Sequence, residues 1–198
     1  MKRALLIVTG LVAAAVAGGA DFLTEPASAQ VISGGGGAGA SVASGAYWYS
    51  QTYPNASVTG TAAETALADV AVPANALGSV GMLRITTAWT TTNTANNKSL
   101  RTRFSATANN LAGTLLQQSI ANSMAVVQIQ FIVRNAGATG SQTTFSTAGQ
   151  NFYTASALAS IASAIDTTQV SHVVVTGQLA TSTETITLIG VTVEALHP

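Results

Sequence analysis

From Gly60 to its end the chain reads as short, threonine-rich segments with a period of two, and no other feature constrains its fold as much. In residues 81–89, Leu83, Ile85, Thr87 and Trp89 share one face, while Met82, Arg84, Thr86 and Ala88 share the other. Residues 99–105 repeat the pattern, with Leu100, Thr102 and Phe104 opposed to Arg101 and Arg103. The intervening Asn93-Thr94-Ala95-Asn96-Asn97-Lys98 is a turn sequence, because asparagine tolerates left-handed backbone angles. The two runs are therefore expected to pair as a β-hairpin. Residues 125–134 make the strongest later strand, with Val127, Ile129, Phe131 and Val133 opposed to Gln128, Gln130 and Arg134. Residues 65–72 form a strand that Pro73 stops. Further strands are expected over 142–146, 150–154, 170–179 and 185–196. In the last of these Ile186, Leu188, Val191 and Val193 point inward, and a phase slip at Gly190 marks a bulge. Residues 155–164 (ASALASIASA) read equally well as a helical turn or an Ala/Ser loop.

Seven or eight short strands at roughly 10–15-residue spacing, without convincing helices between them, are the pattern of an all-β sandwich. The expected fold is an antiparallel β-sandwich of jelly-roll type over residues 60–198, preceded by an N-terminal apolar helix and a Gly-rich arm. Only 7% of residues are charged, the formal net charge is zero, and cysteine is absent. An ordinary soluble domain carries roughly 25%. A neutral chain lacks the basic field that nucleic-acid binding requires, so no nucleic-acid partner is expected. The high apolar content excludes a disordered tail. The lack of cysteine excludes a disulfide scaffold, a thiolate metal site and a Cys nucleophile. Strand faces carrying Thr, Ala, Asn and Gln can enter a subunit interface at small desolvation cost. A homo-oligomer, specifically a trimer, is predicted.

Lys2 and Arg3 precede a run without charge from Ala4 to Ala20, and Ala27-Ser28-Ala29 precedes Gln30. This is the order of a secretory signal peptide cleaved after Ala29, and residues 1–29 read as such a segment or as an uncleaved anchor. Residues 30–59 form a Gly/Ser/Ala-rich arm, with Gly34 to Gly37 consecutive, that ends in the aromatic cluster Tyr47, Trp48 and Tyr49 with Tyr53 close by. Grouped aromatics can stack on sugar rings or dock on a partner. The favoured reading is a first strand or plug over the mouth of the core, since buried aromatics are the commoner case.

The segment ETALADVAVPANALG (64–78), then GMLRITTAW (81–89) and NTANNKSLRTRF (93–104), resembles a group of tailed-bacteriophage virion proteins: tail-fibre, spike or head-decoration β-domains. Gly177-Gln178-Leu179-Ala180 and Thr185-Ile186-Thr187-Leu188 look like the closing strands of that group, so the resemblance covers about residues 60–196. It implies a trimeric antiparallel sandwich on a particle, in contact with other virion proteins and with host surface glycans, and it implies no enzymatic activity. A signal-like N-terminus departs from that pattern and keeps a second reading open: an exported surface or periplasmic adhesin-like binding protein.

Few residues carry chemistry. His172 lies on an expected strand and His197 is penultimate. No H-x-x-x-H or carboxylate cluster points to a metal, and no cofactor is expected. Asp166 and the many serines allow a Ser-His-Asp set to be written, but no G-x-S-x-G elbow supports it. Glu64, Asp69, Asp166, Glu184 and Glu194 are scattered, which argues against a glycosidase pair, and Glu64 and Glu184 fall at strand starts where solvation is expected. Arg84, Arg101 and Arg103 project from one face if the hairpin forms, with Lys98 at its turn. That basic face suits an acidic glycan or phosphate, or hydrogen bonding between subunits, or plain solvation. The candidate binding residues are thus Arg84, Arg101, Arg103, Tyr47, Trp48 and Tyr49.

Overall fold

The computed structural model describes residues 32–33, 47–146 and 159–196. The signal-like segment, the four consecutive glycines, the strand expected over 150–154 and His197 lie outside the described residues. Twelve strands are formed among the described residues: β1 (Ile32–Ser33), β2 (Tyr47–Thr52), β3 (Ala56–Thr59), β4 (Thr65–Val72), β5 (Met82–Thr91), β6 (Lys98–Ser105), β7 (Thr114–Ala121), β8 (Val126–Ala138), β9 (Ser141–Ser146), β10 (Ala159–Ser163), β11 (Ser171–Leu179) and β12 (Thr185–Leu196).

They form two sheets. The larger runs β1-β2-β12-β5-β8-β9-β10, with β3 also paired to β12, and the smaller runs β4-β11-β6-β7. Every pairing is antiparallel except β1 with β2. Thr185 to Leu188 of β12 meet β3, and Val191 to Leu196 meet β2. The change of partner coincides with a register break against β5 between Leu188 and Gly190, so the bulge expected at Gly190 is present. Residues 47–52 and 56–59, within the segment read from the sequence as an arm ending in aromatics that could form a first strand, are β2 and β3 of this sheet.

The core lies between the sheets and follows the alternation. Leu83, Ile85, Thr87 and Trp89 of β5 are buried, as are Leu100, Thr102 and Phe104 of β6 and Ile186, Leu188, Val191 and Val193 of β12. Trp89 donates its indole N–H to Thr87 Oγ1 at 2.8 Å, which explains a hydroxyl on an otherwise apolar face. Asn135, Gln142 and Thr167 form a buried polar group in which Asn135 Nδ2 donates to Thr167 Oγ1 at 2.8 Å and Gln142 Nε2 to Asn135 Oδ1 at 2.9 Å.

Two local expectations are corrected. Residues 159–163, left between helical turn and loop, are strand β10, held by pairing with β9. The hairpin of residues 81–89 and 99–105 does not form. β5 pairs with β12 and β8, whereas β6 pairs with β11 and β7 in the other sheet. The intervening residues 92–97 cross between the sheets, fixed by Thr92 N–H donating to Thr185 O at 3.0 Å and by Thr185 N–H donating to Thr92 Oγ1 at 2.9 Å. Strand β7 has no strong alternation of its own in the sequence, and it takes the edge position beside β6.

Candidate functional site

Because β5 and β6 belong to different sheets, the basic face drawn from the sequence is divided. Arg84 stands on the outer face of the larger sheet, opposite Glu194 in register. Its guanidinium forks onto the Glu194 carboxylate through Nε and through Nη2, the latter 2.7 Å from Oε1. Arg101 and Arg103 stand on the outer face of the smaller sheet. There they share Glu64: Arg101 Nη1 donates to Oε2 at 2.9 Å, and Arg103 donates from Nε to Oε1 at 2.9 Å and from Nη2 to Oε2 at 3.0 Å. Gln118 and Gln178 accept from Arg101, and Gly113 O accepts from Arg103. Arg101 and Arg103 each use three of their five N–H donors within the chain and face a shared carboxylate, so they offer an external anion little.

Glu64 is accordingly not a solvated strand start. Burial alone would raise the pKa of its carboxyl. Hydrogen bonds from Arg103 and Thr176, with the charges of Arg103 and Arg101, outweigh that and hold it below its ordinary 4.5. Glu184 and Lys98 are likewise corrected, since both are buried and paired, Nζ 3.3 Å from Oε2. Thr94 and Asn96 donate to the same carboxylate, and the Thr94 hydroxyl bond leads in lowering its pKa. His172 Nδ1 lies 2.6 Å from Asp69 Oδ1, while Asp166 is occupied by Thr168 at its own turn. The Asp166–His172 set written from the sequence is therefore not assembled. Among the described residues no three His, Asp or Glu side chains gather as metal ligands.

The aromatic cluster fares differently. In register, Tyr47, Trp48 and Tyr49 of β2 lie opposite Leu196, Ala195 and Glu194. The Tyr49 hydroxyl donates to Gln51 Oε1 at 2.6 Å, and Gln51 Nε2 donates to the Tyr53 hydroxyl. Tyr53 is 66% exposed, and its ring rests over the bulge at Gly190, where an added Cβ would lie 3.5 Å from Tyr53 Cδ1. Gln51 opens a cross-strand row, Gln51–Thr192–Thr86–Gln130, that traverses four strands on the outer face of the larger sheet. Gln130 Nε2 donates to Thr86 Oγ1 at 3.1 Å. Sequence reading passed over Gln51, Thr86, Gln130 and Thr192 as a site. Alternation placed each of those on β5 and β8 outward, but the register that aligns them is not visible in one strand.

No model of a known protein family matches the chain, and no curated protein is similar to it in sequence. Among solved structures it is similar to the CBM2 module of an evolved Dit from Lactobacillus casei BL23 phage J-1, at 6% identity and a TM-score of 0.35, over 66% of this chain and 69% of that one. It is also similar to dimeric latent PorU from Porphyromonas gingivalis, at 9% identity and a TM-score of 0.36, over 85% of this chain and 14% of that one. A third similarity is to infectious bursal disease virus, Gx strain, at 9% identity and a TM-score of 0.29, over 78% of this chain and 42% of that one.

Proposed function

We propose that the chain is a structural protein of a bacteriophage-type virion, an oligomeric jelly-roll domain that decorates the head or tail and touches glycans of the host surface. The strand order carries this reading. Taking β3, β4, β5, β6, β7, β8, β11 and β12 as first to eighth, one sheet orders them first, eighth, third, sixth, and the other second, seventh, fourth, fifth. First pairs with eighth, second with seventh, third with sixth and fourth with fifth, all antiparallel. One long hairpin rolled over on itself would give this order, which supports the double-sheet jelly-roll reading, a class that includes viral capsid and lectin domains. Fold alone does not fix function, so the surface supplies the second support. Arg84, Lys98, Arg101 and Arg103 all meet carboxylates of the same chain. At the start of β8 the surface presents Met124, 40% exposed, and Val126, 73% exposed, away from Gln130. A face of this composition suits packing against copies of the chain.

Two measurements test the reading. Mass spectrometry of purified particles from the encoding host is expected to find the chain among virion components, and its intact mass reports whether residues 1–29 remain. Finding it cleaved in the cell envelope and absent from particles would favour the exported adhesin. Light scattering of the full chain at micromolar concentration is expected to give a trimer, and the M124D/V126D variant a monomer. A monomeric parent chain would remove the oligomer from the proposal.

A further inference from the structure

We infer that the outer face of the larger sheet beside β2, formed by Tyr53, Gln51, Thr192, Thr86 and Gln130, binds neutral polysaccharide. This rests on the reading of a surface-displayed domain and gives its glycan contact a location and a ligand class. Three observations carry it. The first is the seating of Tyr53. Its ring leans on the backbone at the Gly190 bulge and remains two-thirds exposed, so the aromatic surface is positioned without being covered. A supported ring of this kind stacks on the apolar C–H face of a sugar at little cost in side-chain entropy.

The second observation is the row Gln51–Thr192–Thr86–Gln130. Neighbouring strands lie roughly 4.8 Å apart, so four strands place amide, hydroxyl, hydroxyl and amide along about 14 Å of a pleated surface. The Gln130–Thr86 and Gln51–Tyr53 hydrogen bonds hold the two amides in place, and each amide keeps further donor and acceptor capacity. Paired donors and acceptors of this type match adjacent sugar hydroxyls, and a row of this length suits a chain of sugars better than a single one.

The third is electrostatic. The adjoining charges, Arg84 and Glu194, neutralise one another in a fork. Arg134 lies on the same face of β8, four residues from Gln130; within the row itself an anionic polymer meets no cation, whereas a neutral one loses no ionic hydration on binding. Of the basic residues first expected to contact acidic glycans, Arg101 and Arg103 lie on the other sheet and are engaged by Glu64.

Electrophoresis of the full chain through gels containing hydroxyethyl cellulose, dextran, mannan or dextran sulfate tests the inference. Retardation is expected in at least one neutral polymer, unchanged by about 0.5 M sodium chloride. Y53A is expected to weaken it roughly tenfold and Q51A/Q130A comparably, while Y53W retains it. Circular dichroism should show all variants folded, since the replaced side chains are exposed. The inference is overturned by absence of retardation in all three neutral polymers. Salt-sensitive retardation in dextran sulfate alone, or variants that bind like the parent chain, would overturn it equally. Y53A should leave oligomer mass and particle incorporation intact, so failure of sugar binding and failure of the virion reading are separately visible.

Discussion

Lys98, the first residue of β6, reaches through the core margin to Glu184, which immediately precedes β12, and its ammonium lies 3.3 Å from the carboxylate with neither side chain more than 5% exposed. One partner begins a strand of the smaller sheet and the other a strand of the larger, so the pair closes one end of the sandwich. Nζ also donates to Thr94 O at 3.1 Å, Thr94 Oγ1 at 2.8 Å and Asn96 O at 2.8 Å. A buried ammonium is tolerable only when its donors are this fully used.

K98M should therefore leave Glu184 buried beside an apolar group and lower the melting temperature by on the order of 10 °C. K98M/E184M, which removes both charges, should recover much of the loss. Differential scanning calorimetry of the two variants and the parent checks this, and equal losses in both would show that the ion pair is not the cause.

Acid should act through Glu64. Its pKa is lower folded than unfolded, so its contribution is complete above the unfolded value near 4.5 and is lost as pH falls through the folded value. The melting temperature is expected to drop below about pH 4.5. E64Q should be less stable at neutral pH by roughly 1–2 kcal/mol, discounted for partial exposure, and should show a shallower acid limb. Melting curves from pH 7 to 3 read both.

Gly81 has no space for a methyl group. A Cβ there would collide with the carbonyl oxygens of Leu77 and, at 2.6 Å, Leu196. Both obstacles are backbone, and Gly81 also donates its N–H to Leu77 O at 2.8 Å. G81A should destabilise by roughly 3 kcal/mol or more, read as loss of soluble yield or a large fall in urea midpoint.

T87V keeps the shape of a buried residue but removes the acceptor of the Trp89 indole N–H. An unpaired buried donor costs about 1–3 kcal/mol, whereas T87S should cost less because it keeps the hydroxyl. Urea titrations followed by tryptophan fluorescence distinguish the two.

Period two told which side chains of β5, β6 and β12 face inward, because alternate Cβ atoms point to opposite sides of any strand whatever its neighbours. It also located the Gly190 bulge, where the phase slips. The parity of Lys98 with Leu100, Thr102 and Phe104, with which it is buried, was legible, although the sequence reading set it at the turn beside the basic face. Its partner was not, since Glu184 is distant in sequence and on another strand's approach.

Sheet membership escaped the sequence for the same reason. Alternation fixes a face but carries nothing about which strand lies alongside, and the asparagine-rich residues 92–97 can close a hairpin or cross a sandwich equally well. The crossing was decided by bonds to Thr185 and by the burial of Lys98 against Glu184. That decision sent Arg84 to one outer face and Arg101 and Arg103 to the other, and aligned Gln51, Thr192, Thr86 and Gln130 into one row. The sequence alone determined an all-β, charge-poor chain and the inward faces of its strands, since both follow from composition and local geometry. The tertiary structure alone decided which residues meet across strands, because register and sheet order arise from contacts between segments far apart in the chain.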